Sequence, residues 1–272
     1  MIIKLKSKLL DLDSKYLKGN VHLYHKAPNL KVYNHIREMT KRPIFIGGCG
    51  RSGTTLLLSI LSSHPSIYSI PVETYAFCRS DYFEEKPRAK ETFDMYKIYN
   101  ALLSDKEVLN RTRWCEKSPK NIRRVSEILE YFGEEARFIN IVRDGRDVVT
   151  LKHPTSKDEY WVSIERWVSD VEAGFEHRDN PYVLTLRYED LINNFEEKIR
   201  NICTFVDEPF TERFYDYPET ATLKTNRAWF GNAKEIHADS IKRWKDPKFK
   251  DRIDKLMNNI KAVKLLKYYK YI

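Results

Sequence analysis

The chain has 272 residues, with 48 Lys and Arg against 39 Asp and Glu for a net charge of +9, and 42% apolar residues of which aromatics make 13% of the chain. That composition excludes a disordered polypeptide, and no stretch approaches the ~18 consecutive apolar residues of a membrane span. The length suits one large α/β domain over residues 1–272, with 1–42 a basic N-terminal extension and 245–272 a basic C-terminal helix.

The N-terminus, Met1-Ile2-Ile3-Lys4-Leu5-Lys6, interrupts its apolar residues with lysines and has no signal-peptide core, so no export is encoded there. Leu30 to Thr40 reads as a short helix at the edge of a sheet. Pro43-Ile44-Phe45-Ile46 then reads as a buried strand, followed by Gly47-Gly48-Cys49-Gly50-Arg51-Ser52-Gly53 and a helix from Thr54 to about Ser63. Glycines permit a sharp turn and close approach of a ligand to the backbone, and the helix that follows offers free N–H groups and a positive dipole end. Gly48-x4-Gly53-Thr54-Thr55 has the spacing of a triphosphate-binding P-loop, except that Thr54 stands where the lysine belongs. The cation is instead Arg51, inside the loop, which suggests a shorter anion bound without an obligatory metal.

Ile67-Tyr68-Ser69-Ile70 alternates like a strand and leads into Pro71-Val72-Glu73-Thr74. In an open parallel sheet ligands bind at the C-terminal strand ends, so Glu73 and the phosphate loop are expected to share a crevice. Its carboxylate is a general base or an acid placed to stabilise a helix start. A helical pattern runs from about Ala89 to Leu103. Arg111 to Cys115 reads as a third strand, leading into Glu116-Lys117-Ser118-Pro119, with Pro119 at the first position of a helix through Ile122, Val125, Ile128 and Leu129. Lys117 thus falls at a strand-to-helix junction, where a cation can meet a bound anion or simply reach solvent.

Arg137 to Val142 is the clearest remaining strand, ending in Arg143-Asp144-Gly145-Arg146-Asp147. The two arginines suit a second phosphate, since a planar guanidinium grips phosphate oxygens bidentately. Asp144 has a rival reading as a metal-holding acid, weakened by the arginines on either side. Asp158 to His177 is amphipathic, and its tryptophans, Trp161 and Trp167, read as core. Pro181 to Leu186 supplies a fifth strand, followed by Arg187-Tyr188-Glu189-Asp190-Leu191 and a helix from about Phe195 to Phe205. Gly231 to Lys234 looks like a loop that closes over a ligand. Strands alternating with helices predict a three-layer α/β sandwich around a mostly parallel sheet of about five strands.

The four cysteines, Cys49, Cys78, Cys115 and Cys203, show no metal-binding spacing, which favours a reduced, cytoplasmic setting and reads Cys49 as a small filler. From Lys242 to Ile272 there are eleven Lys and Arg against three Asp, a local excess of 11 − 3 = 8. No nucleic-acid reading motif accompanies it. Ile253, Leu256, Met257, Ile260 and Val263 instead fall at helical spacing, giving one terminal helix with a solvated basic face, or a docking face for an acidic partner.

Four segments together resemble the sulfotransferase family that uses 3′-phosphoadenosine 5′-phosphosulfate (PAPS). Gly50-Arg51-Ser52-Gly53-Thr54-Thr55-Leu56 resembles its 5′-phosphosulfate loop, and Ile141 to Val149 its 3′-phosphate segment. Glu116 to Pro119 and Leu186 to Leu191 match in the same order, so that the resemblance spans roughly Pro43 to Trp244. The loop followed by Glu73-Thr74 is similar to tyrosylprotein and bacterial carbohydrate sulfotransferases. The resemblance implies PAPS as co-substrate with adenosine 3′,5′-bisphosphate (PAP) as product, and no metal. It implies Glu73 as base, Lys117 and Arg51 at the transferred group, Arg143 on the 3′-phosphate, Tyr188 at the nucleotide and Lys234 in the closing loop. A hydroxyl-bearing acceptor, an acidic glycan or a tyrosine peptide, is the expected partner. One position departs: eight residues after Arg143 the family's serine is replaced by Leu151, with Thr150 one residue early. An Mg-ATP-dependent kinase and a non-catalytic binder of nucleotides or acidic polymers are the rival readings.

Overall fold

A computed structural model describes residue 13 and residues 17–78, 93–153, 159–217, 219–223, 225–226, 231–232 and 240–272. The apolar runs form strands β1 (Ile44–Gly47), β2 (Ile67–Ser69), β3 (Arg113–Lys117), β4 (Arg137–Val142) and β5 (Val183–Arg187). They pair in the order β2-β3-β1-β4-β5, each pair parallel. An all-parallel sheet must be covered on both faces. The sequence provides for this by alternation within each strand: Ile44 and Ile46 pack on one face with Cys115, Ile139 and Ile141, while Phe45, Trp114 and Phe138 pack on the other.

Helices α1 (Asn20–Lys26), α2 (Leu30–Met39), α3 (Thr54–Leu61), α4 (Met95–Leu103), α5 (Val125–Phe132), α6 (Gly145–Val149), α7 (Ile164–Phe175), α8 (Tyr188–Asn193) and α9 (Phe195–Phe205) fill the connections. Leu57, Leu58 and Leu61 of α3 join Ile199 and Ile202 of α9 on the first face, and Ile36, Ile98 and Val125 of α2, α4 and α5 lie on the second. The three layers and the parallel sheet are those expected from the sequence. Because the chain runs from β1 outward to β2 and back through β3 before crossing to β4 and β5, the order reverses beside β1. Ligand crevices form at such reversals, at the C-terminal strand ends.

Three local expectations are corrected. Pro119 opens a 3-10 stretch, Pro119–Arg124, and the α-helix begins only at Val125. The Pro119 carbonyl accepts from Gly48 N at 3.1 Å, so it serves the glycine loop rather than a helical turn. The expected single C-terminal helix is two, α10 (Lys250–Met257) and α11 (Ile260–Tyr268). Asn259 caps the second by accepting from Ala262 N at 3.0 Å, which resets the helical phase. Ile260, assigned by periodicity to the apolar face, is therefore exposed, and Ala262, Leu265 and Leu266 are buried against α6 and α7. Trp167 is buried as expected, but Trp161 lies ahead of α7 and is half-buried. No helix among the described residues is long and apolar enough to cross a membrane.

Candidate active site

The loop between β1 and α3 needs its glycines for two different reasons. Gly48 has φ +143°, and a Cβ there would stand 2.3 Å from the Ile141 carbonyl oxygen. Gly53 has φ +96°, and a Cβ there would stand 2.4 Å from Cδ2 of Tyr188. Gly53 is also the N-cap of α3 and supplies no side-chain cap, so the first-turn amides of the helix open onto the loop. Thr54 and Thr55 begin that helix and are buried, and Gly50 lies against Arg166. Ser52 is fully buried with its Oγ unbonded among the described residues.

Arg51 adopts φ +70° and places its guanidinium 5.1 Å from the Trp161 ring. Burial, then the neighbouring Arg143 and Arg243 cations, push its pKa below the ordinary value. A partly buried cation depressed by neighbouring cations marks a place for an anion.

Arg143 follows β4 and faces the same loop, donating to the Arg51 carbonyl at 3.1 Å and to the Ser240 carbonyl. Its guanidinium lies 4.5 Å from the Tyr188 ring, and Tyr188 Oη bonds Ser240 Oγ at 2.7 Å. Arg143 Nε has no partner among the described residues. The orphaned Nε, the orphaned Ser52 hydroxyl and the bare helix end fit an anionic ligand with charge at two points.

The second arginine does something else. Arg146 grips Asp144 at 2.9 and 2.7 Å, donates to the Tyr271 carbonyl and stacks 4.0 Å from the Trp244 ring. Asp144 also accepts from Arg146 N at 2.9 Å and caps α6. Asp144 is therefore committed to its arginine and its helix rather than offered to a cation, and Arg146 is not available as a second phosphate clamp. Thr150 ends α6 with its hydroxyl bonded back to the Arg146 and Asp147 carbonyls at 2.8 and 3.1 Å. Leu151 N donates to Val148 O at 3.3 Å, and neither residue is seen bonded to the Arg143 group. Lys234 lies outside the described residues; the pairing of Gly231–Asn232 with Thr225–Asn226 is the described part of its loop.

The third part of the site lies where β2 and β3 end. Lys117, fully buried, pairs with Oε1 of Glu73, whose side chain keeps 20% of its exposure. Lys117 stands in register with Ile46 of β1, one residue before the glycine loop begins. Tyr75 Oη donates to Glu73 Oε2 at 2.5 Å. Beneath them Glu116, also fully buried, accepts from Thr74 N and Oγ1 at 3.2 and 2.9 Å, from Ser118 Oγ at 2.7 Å and from Asn121 Nδ2 at 2.6 Å. Burial raises its pKa while these four donors hold the other way. The network fastens the Glu73 segment to the end of β3, so that a carboxylate and an ammonium meet at the mouth of an anion loop.

Residues 43–212 match the sulfotransferase family. The chain belongs to it. A protein-tyrosine sulfotransferase of Drosophila melanogaster is 27% identical over 255 residues, which cover 82% of this chain and 50% of the fly protein. A protein-tyrosine sulfotransferase of Danio rerio is 23% identical, covering 74% of this chain and 65% of its own length. The chain thus spans about half the length of the fly relative that it matches. Among solved structures, the sulfotransferase domain of a Synechococcus olefin synthase superposes with a TM-score of 0.61 at 20% identity, covering 85% of this chain and 95% of that domain. A mouse sulfotransferase complexed with PAP gives 0.51 at 17% identity, covering 84% and 89%.

Around this crevice, sequence reasoning missed Tyr75, Ser240, Arg243 and the Trp161 face beneath Arg51. The signal for Trp161 was its place ahead of the Ser163 helix cap, which takes it off the buried stripe of α7. Ser240 and Arg243 carry no local signal, because their use depends on a chain segment about a hundred residues beyond the strand they meet. Cys49 is buried, and burial followed by the nearby Asp170 raises its thiol pKa well above the ordinary value, which agrees with a filler rather than a nucleophile.

Proposed function

We propose that this sulfotransferase moves a sulfuryl group from PAPS to an acceptor hydroxyl, with Glu73 as general base. The observation that carries the proposal is the Glu73–Lys117 pair at the mouth of the Gly48–Gly53 loop. PAPS, when bound, supplies an activated sulfuryl group on a phosphate leaving group.

Arg51, Ser52 and the first-turn amides of α3 would hold the phosphosulfate end, with Gly50, Gly53, Thr54 and Thr55 shaping the loop around it. Arg143 would hold the 3′-phosphate with Tyr188 beneath it, and Thr150 and Lys234 belong to the same reading. Glu73 Oε2 would take the proton of the acceptor hydroxyl. Such a base contributes about 10²–10⁴-fold to rate. Lys117 and Arg51 would face the charge that develops on the transferred group and the leaving oxygen, each worth about 3–4 kcal/mol in comparable oxyanion sites. These side chains do the work that a kinase assigns to a divalent ion, so activity in the presence of a chelator is expected.

The acceptor class belongs to the same proposal. The fly and zebrafish relatives are named for protein tyrosine, which favours a tyrosine hydroxyl over a glycan hydroxyl. The same proposal places residues 1–272 in one domain and in a reduced, cytoplasmic setting, which the cysteine spacings favour. Incubation with radiolabelled PAPS and panels of tyrosine peptides, glycans, lipids and phenols tests the function. Label on one hydroxyl class, lost in Glu73→Gln, is expected. Near-normal turnover in Glu73→Gln with PAP still bound would remove Glu73 as base, and no label on any acceptor would remove the transfer itself.

A further inference from the structure

The hydroxyl that reaches Glu73 in this structure belongs to the chain itself. Tyr75 Oη donates to Glu73 Oε2 at 2.5 Å, while Lys117 holds Oε1. A general base in hydroxyl transfer must come within about 2.6–3.2 Å of the hydroxyl whose proton it takes. Tyr75 therefore stands in the acceptor's place.

The backbone is shaped for this. Tyr75 adopts φ +49°, a left-handed conformation that costs a residue with a Cβ about 1–3 kcal/mol and persists only where neighbours enforce it. Those neighbours are present: Tyr75 N donates to Ser118 Oγ at 3.4 Å, Lys97 donates to the Tyr75 carbonyl at 3.3 Å, and Thr74 is clamped by Glu116. Downstream, Phe77 is buried 5.0 Å from the Phe45 ring, which fixes the other side of the turn. The ring is thus turned back onto a carboxylate two residues earlier, and a phenol, with an ordinary pKa near 10, gives up its proton more readily than a serine or threonine hydroxyl does.

We infer that Tyr75 is a self-modification site. Without an external acceptor the protein sulfates its own Tyr75 Oη, an inference that rests on the sulfuryl-transfer reading above. The sulfur–oxygen bond to the donor's phosphate breaks and a sulfur–oxygen bond to Tyr75 Oη forms. The phenolic proton passes to Glu73 Oε2, and the bonding pair leaves with PAP. The product is a tyrosine O-sulfate, and nothing is oxidised or reduced.

The test is to incubate the purified chain with radiolabelled PAPS alone, digest with trypsin and fragment the peptide of residues 52–79, which also contains Tyr68. One sulfuryl group on Tyr75 is expected, gained at a rate per chain that does not change with protein concentration. It is absent in Tyr75→Phe and gained at least ~100-fold more slowly in Glu73→Gln. Calorimetry with PAP on the same preparation separates the two readings. PAP bound with no label on Tyr75, or label on Tyr68 instead, overturns Tyr75 as the self-modification site and leaves donor binding intact. Neither label nor PAP binding overturns both. A labelling rate that rises with protein concentration places the transfer between chains and overturns the intramolecular step.

Discussion

The two ends of the crevice handle charge in opposite ways. At the acceptor end every carboxylate has partners: Glu73 is held by Lys117 and Tyr75, and Glu116 by Thr74, Ser118 and Asn121. At the anion end Arg143 and Arg243 crowd Arg51, and Ser52 Oγ and Arg143 Nε lack partners among the described residues. A buried polar group left without a partner costs about 1–3 kcal/mol, a deficit that an anionic ligand would offset. The contrast fits the division proposed above, in which the fixed Glu73 carboxylate meets the acceptor hydroxyl and the unbalanced cations draw a polyanion.

The largest expected effect is at the neutral end. Glu73→Gln should lower kcat by about 10²–10⁴-fold while PAP affinity, read by calorimetry, is kept. A change that fell on PAP affinity instead would merge the two ends into one.

Next come the two arginines three positions apart. Arg146→Ala leaves Asp144 buried without its cation, and losing one partner of a buried pair costs about 3–5 kcal/mol of folding stability, read by denaturant unfolding. Arg143→Ala should instead weaken PAP binding by about 10–150-fold, the equivalent of the 1.5–3 kcal/mol of charge-assisted hydrogen bonds. If Arg146→Ala were folded normally and Arg143→Ala bound PAP normally, the division between structural and ligand-facing cation would be wrong.

That division could not be read from the sequence, although much around it could. Arg143 and Glu73 were legible because a residue just past a buried parallel strand has few places to point other than the crevice. The glycine loop was legible because its spacing encodes its turn. Arg146 was not distinguishable from Arg143, since which guanidinium meets Asp144 depends on where α6 begins, and Asp144 sets that start by capping it. Tyr75 was hidden for a related reason: its ring reaches Glu73 through a positive φ imposed from Ser118 and Glu116, more than forty residues away. The C-terminal segment was read as one helix because periodicity is blind to a cap such as Asn259, which restarts the phase without breaking the apolar pattern.

The smallest effect is at Glu116. Burial raises its pKa above the ordinary 4.5, so the folded chain keeps a proton that the unfolded chain has released. Stability from this group is present below the unfolded pKa and is lost as pH rises through the folded value. Melting temperature should therefore fall as pH is raised above the ordinary carboxylate range, and Glu116→Gln, which removes the titration, should flatten that slope. An unchanged slope in the variant would mean that Glu116 stays ionised throughout, with its four donors outweighing its burial.

The two-anion crevice itself is tested most directly by titrating the chain with PAP in the presence of a chelator and, separately, with Mg-ATP. Saturable PAP binding without a divalent ion, tighter than Mg-ATP and weakened when the 3′-phosphate is removed, is the expected result. A clear preference for Mg-ATP, or indifference to the 3′-phosphate, would contradict the assignment of Arg51 and Arg143 to the two ends of one ligand.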